Sequence, residues 1–144
     1  MSNHEIRLGI KNFQLDQPHS RISLHDLLAQ TGLSGVEFSP VTALTQQQLA
    51  VLAASENNVI AGIHLRSGYV PSLIEKAPYI VAHHPQDFPF SSLPNYQGLF
   101  CLEWTDFMKP NQFSREIALF RNLARNSGFS SKQLGITLDT AHLH

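Results

Sequence analysis

Apolar and polar positions alternate along this chain in short runs separated by turn residues, and that rhythm predicts six strands. Over residues 5–11, Ile6, Leu8 and Ile10 fall on one parity and Arg7, Gly9 and Lys11 on the other, the pattern of a half-buried strand. Similar runs follow over 35–39, stopped by Pro40, and over 59–64, 79–84, 99–103 and 134–139. Between them lie helical stretches. Ser23 caps one over 24–30 that Gly32 ends, and Thr45 opens a second, rich in Gln, Leu and Ala, over 46–54. A short one is expected over 71–76. The longest runs over 115–125, opened by Asn111 or Ser114 and closed by Gly128. Residues 86–97 break the rhythm, because Pro89 and Pro94 follow Pro85, and a loop or one irregular turn is expected there. Strands alternating with helices over short connections predict an α/β domain with a parallel sheet, spanning 1–144 as one unit.

Side chains alternate faces along a strand, so parity predicts which residues share a side. The strand-end residues group as His64 with Gly62 and Ile60, His84 with Ala82 and Ile80, Glu103 with Cys101 and Leu99, and Asp139 with Thr137 and Gly135. Glu37, with Gly35, is expected at the same rim as a supporting group rather than a ligand. The opposite faces carry Val59, Ala61 and Ile63; Tyr79, Val81 and His83; Phe100 and Leu102; Ile136 and Leu138. His83 is thereby expected to face the helices as a structural residue. One tension remains on the rim side, where Gly62, Ala82, Gly135 and Thr137 are small although barrel interiors are built from bulky branched residues. Either neighbouring strands supply the bulk or the sheet is not closed.

Four consecutive strands would thus deliver His64, His84, Glu103 and Asp139 to one rim. Adjacent strands lie about 4.8 Å apart and a donor sits about 2.0–2.2 Å from its metal, so neighbouring strand ends can share an ion. Imidazole mixed with carboxylate suits Zn²⁺, Mn²⁺ or Fe²⁺ better than Mg²⁺ or Ca²⁺. Each residue also has a plainer reading. A strand-end His or Glu103 can simply be hydrogen-bonded or solvated, Asp139 can cap a following helix, and Cys101 is better read as a small buried hydrophobe than as a nucleophile. His4, His19 and His25 have no partner pattern, and His144 is unreadable. The metal reading rests on the coincidence of four ligand types at four successive strand ends.

Composition narrows the classes. With 42% hydrophobic and 15% charged residues, a 144-residue chain can bury a core as one soluble domain. A formal charge of -1 gives no global field for nucleic acid. A single cysteine excludes an internal disulfide framework and a Cys-rich zinc module. The residues at the start lack a signal-peptide pattern and no apolar run reaches membrane-spanning length, so a cytoplasmic protein with no membrane partner is expected. Dinucleotide, P-loop, serine-hydrolase and H-E-x-x-H motifs are absent.

His64 on the third strand, His84-Pro85 on the fourth, Glu103 on the fifth and Leu138-Asp139-Thr140-Ala141-His142 at the sixth together resemble the xylose-isomerase-like TIM barrels. The closest resemblance is to apurinic-site endonucleases of the endonuclease IV type, with D-T-x-H after an apolar strand as the most specific piece. The resemblance implies metal ligation by His64, His84, Glu103, Asp139 and His142. It implies Zn²⁺ first, with Mn²⁺ or Fe²⁺ as the other fits, and Glu103 as catalytic residue at a bridging position. The implied reaction is metal-dependent hydrolysis of a phosphodiester in abasic DNA. Sugar isomerases and epimerases of the same superfamily share the strand-five Glu and strand-six Asp, so a small sugar substrate is the alternative; a non-catalytic binding or interaction module is a third reading. The family's barrel continues for two strands and needs about 250 residues, roughly 200 at the least. Its glycine-rich sequence after the strand-five Glu is Trp104-Thr105-Asp106-Phe107 here. The expectation is a barrel truncated after its sixth strand, completed by a missing C-terminal segment or by a homo-oligomer partner.

Overall fold

The computed structural model describes residues 9–11, 35–38, 60–65, 74–105 and 108–138. Their strands are β1 (Gly9–Lys11), β2 (Gly35–Phe38), β3 (Ile60–His64), β4 (Tyr79–Ala82), β5 (Leu99–Trp104) and β6 (Leu134–Leu138). They form one sheet in sequential order, and every neighbouring pair is parallel. Helix α1 (Pro110–Asn126) joins β5 to β6. The class is α/β, as the alternation predicts. The helices expected over 24–30 and 46–54 lie outside the described residues, and of the stretch 71–76 the described part, Ile74–Lys76, is a 3₁₀ turn.

The register fixes which side chains share a face. His64 is the Cα partner of Val81, Val81 of Cys101, and Cys101 of Gly135. The opposite parity, Ile63, Ile80, Ala82, Phe100 and Leu102, is buried in the hydrophobic core beneath α1. This corrects the expected parity of β4. Tyr79, Val81 and His83 share the face of His64 and Glu103, whereas Ile80 and Ala82 pack toward the core. The small residues of the site face are filled from neighbouring strands. A Cβ on Gly62 would overlap the Tyr79 ring, and one on Gly135 would lie 3.0 Å from Cys101 Sγ.

Helix α1 begins five residues earlier than its apolar pattern predicts, because Pro110 at its first turn needs no N–H partner and has φ set for a helix. Phe113, Phe120 and Ala124 are buried, with Ile117 and Leu123 packed against the same cluster, so one face seals the sheet. It ends at Gly128, whose φ of 88° permits a Schellman turn. There the Gly128 N–H donates to the Arg125 carbonyl and the Phe129 N–H to that of Ala124, each at 3.0 Å.

From β4 to β5 the chain takes two 3₁₀ turns, Pro85–Asp87 and Phe90–Ser92, in keeping with the prolines there. Its aromatics replace the missing helix in covering the sheet. Phe90 stands 4.7 Å from Phe100 and 5.7 Å from Phe129, and Phe88 stands 4.9 Å from Phe120, measured between ring centroids. Tyr96 packs on Phe100 and donates its hydroxyl to the Ala77 carbonyl at 2.7 Å. At β6, Ile136 and Leu138 stay 48% and 55% exposed. Among the described residues no helix is long and apolar enough to cross a membrane.

Candidate metal centre

Three strands and the residue after a fourth bring four polar side chains together at the C-terminal end of the sheet. Glu37 comes from β2, His64 ends β3, His83 follows β4, and Glu103 is the penultimate residue of β5. Glu37, His64 and Glu103 are buried at 6%, 3% and 1% exposure, depths at which polar groups need partners. The His83 side chain is 45% exposed and opens the cluster to solvent.

His64 is the hub. Its Nδ1 lies 2.8 Å from Glu37 Oε1 and 3.2 Å from Glu103 Oε2, while its Nε2 lies 3.1 Å from His83 Nε2. His83 Nε2 is in turn 3.6 Å from Glu103 Oε1. The two imidazoles meet edge to face, with centroids 4.7 Å apart at 72°. An ionised carboxylate only accepts, so a hydrogen bond to it from His64 Nδ1 requires the proton on that nitrogen, and at the contact between the two Nε2 atoms one ring must donate and the other accept.

His64, His83 and Glu103 can hold a metal ion, since one donor atom from each lies within 4.8 Å of the others. The spacing fits the chemistry. Two nitrogens about 2.05 Å from one tetrahedral zinc stand roughly 3.3 Å apart, close to the 3.1 Å between the imidazoles. Two carboxyl side chains, Glu37 and Glu103, are buried around that point, and binding a divalent cation is one way in which buried carboxylates are compensated.

His64 and Glu103 meet at the rim, as the alternation predicts. His84 does not join them. It is exposed and stands before the turn Pro85–Asp87, in the extended conformation that the residue preceding proline favours. The register instead puts His83 on the shared face, level with the position of Glu103. His83 was legible only as the neighbouring histidine, because Ile80, Val81 and Ala82 are apolar on both parities. Glu37 stands at the rim on its expected face. Asp139 and His142 lie outside the described residues; Thr137, two residues before Asp139, is the Cα partner of Glu103. Cys101 is a buried thiol against Gly135. Comparison with known proteins returns no match to a family model, to a curated protein or to a solved structure.

Proposed function

We propose that this domain is a metal-dependent hydrolase that holds Zn²⁺ through His64, His83 and Glu103 and cleaves a phosphodiester, with abasic DNA as the substrate that the family resemblance suggests. The observation that carries the reading is the convergence of two imidazoles and one buried carboxylate on a single point at the strand ends. Two His and one Glu form a ligand set used by hydrolytic zinc centres, which keep a fourth position for water or substrate. Bound there, a Zn²⁺ ion would lower the pKa of a coordinated water and polarise a phosphoryl oxygen.

The protein's own groups have distinct tasks in this reading. His64 supplies a nitrogen from a fully buried ring, and Glu103 supplies the carboxylate charge. His83, half exposed, leaves the approach open to a substrate. Asp139 and His142, directly after β6, are proposed to add further donors. The sequential parallel order supports taking the sheet as the first six units of a (β/α) barrel, whose chemistry belongs at the strands' C-terminal ends.

Metal analysis of the purified chain, followed by assay of an abasic-site duplex and a panel of ketoses, tests this. Bound zinc with chelator-sensitive strand cleavage is the expected result. Ketose conversion without cleavage would replace the reading with a sugar isomerase, and metal without either activity with a binding module. A chain that takes up none of Zn²⁺, Mn²⁺ or Fe²⁺ would overturn the metal centre altogether.

A further inference from the structure

We infer that Glu37 is a positioning residue for the centre: it fixes His64 in the Nδ1–H tautomer and so leaves the Nε2 lone pair facing His83. The affinity part of this inference rests on the metal reading above; the tautomer part does not. Glu37 Oε1 makes the shorter of the two carboxylate contacts to Nδ1, 2.8 Å against 3.2 Å for Glu103 Oε2. Both members of the shorter pair are buried and come from different strands, so the sheet itself holds the geometry. A neutral imidazole carries one N–H. Once Glu37 binds it at Nδ1, the nitrogen that faces His83 at 3.1 Å is the one with a lone pair.

The same contact divides the work between the two carboxylates. With Glu37 accepting from Nδ1–H, Glu103 is not required as its acceptor; Glu103 Oε1 lies 3.6 Å from His83 Nε2. A carboxylate on the far nitrogen of a ligating histidine orients the ring and raises its basicity. Loss of such a partner typically costs about 10–100-fold in metal affinity.

The test uses ¹⁵N-labelled full chain, wild type and the variants Glu37→Gln and Glu37→Leu. Long-range ¹H–¹⁵N correlation of the His64 ring in metal-free protein reads the tautomer directly. Wild type and Glu37→Gln, which keeps a carbonyl acceptor at the same atom, should hold the proton on Nδ1. Glu37→Leu should move it toward Nε2, and its Zn²⁺ affinity should fall by about 10–100-fold, with a smaller loss for Glu37→Gln. If Nδ1 stays protonated in Glu37→Leu, Glu103 sets the tautomer and the inference is overturned. Should Glu37→Leu not fold, the wild-type spectrum still decides: an Nε2–H ring there overturns the assignment and an Nδ1–H ring supports it. Absence of metal binding by wild type would refute the hydrolase reading while the tautomer measurement still judges this one.

Discussion

Replacing His83 by alanine should abolish most of the metal-dependent stability, and replacing its neighbour His84 should not. His83 is one of three donors, 3.1 Å from His64 and 3.6 Å from Glu103, whereas His84 is exposed outside the cluster. At free Zn²⁺ of about 100 times the wild-type Kd, binding stabilises the fold by about 2.7 kcal/mol. Removing a direct ligand should cost at least the roughly 100-fold that marks the upper end for outer partners. The same metal concentration would then lie near Kd and contribute about 0.4 kcal/mol. At about 2–4 °C per kcal/mol, the zinc-induced rise in Tm falls from roughly 5–11 °C to about 1 °C. Because the His83 ring is also a hydrogen-bond partner of the buried His64 Nε2, the metal-free variant should itself lose about 1 kcal/mol, and the zinc response is read as the difference between melts with and without metal. Thermal melts of wild type, His83→Ala and His84→Ala, each with and without zinc, check this. A zinc response kept by His83→Ala and lost by His84→Ala would refute the register argument.

Other expectations concern the scaffold. Phe100→Ala, at a fully buried position ringed by Phe88, Phe90, Tyr96 and Phe129, should lose about 3–5 kcal/mol in urea unfolding. Gly98→Ala should lose about 1–3 kcal/mol, since its Cβ would sit 2.5 Å from the Pro78 carbonyl oxygen, which accepts the Leu99 N–H. Burial, reinforced by Cys101, pushes the Tyr96 phenol well above its ordinary value of 10.0. Both states keep that proton below about pH 10, but above it only the unfolded chain releases it, so stability should fall by about 1.4 kcal/mol per pH unit. Urea melts across alkaline pH should show that slope in wild type, and Tyr96→Phe should remove it.

The strands and the long helix were legible in the sequence because their apolar positions keep a period. Phe113, Phe120 and Ala124 mark one helix face, and on β5 the alternation of Phe100 and Leu102 with Cys101 and Glu103 assigns each side. β4 was not legible for a physical reason. Ile80, Val81 and Ala82 are all fully buried, because a central parallel strand is covered on both faces and loses its alternation. Choosing between His83 and His84 there needs the pairing with β3 and β5, which is a long-range fact. Glu37 shows the complementary case: its face followed from Gly35, but its bond to a residue 27 positions away did not.

The aromatic cluster between β4 and β6 also bears on the order in which the molecule assembles. Phe88, Phe90, Tyr96, Phe100, Phe120 and Phe129 all lie within one continuous span, so this cluster can close without β1, β2 or β3. Glu37 and His64 lie outside that span and join it through β2 and β3. A cation bound between His64 and the pair His83–Glu103 would therefore act as a clasp that ties β3 to that span. Hydrogen exchange in β2 and β3 should respond to metal before exchange in α1 does.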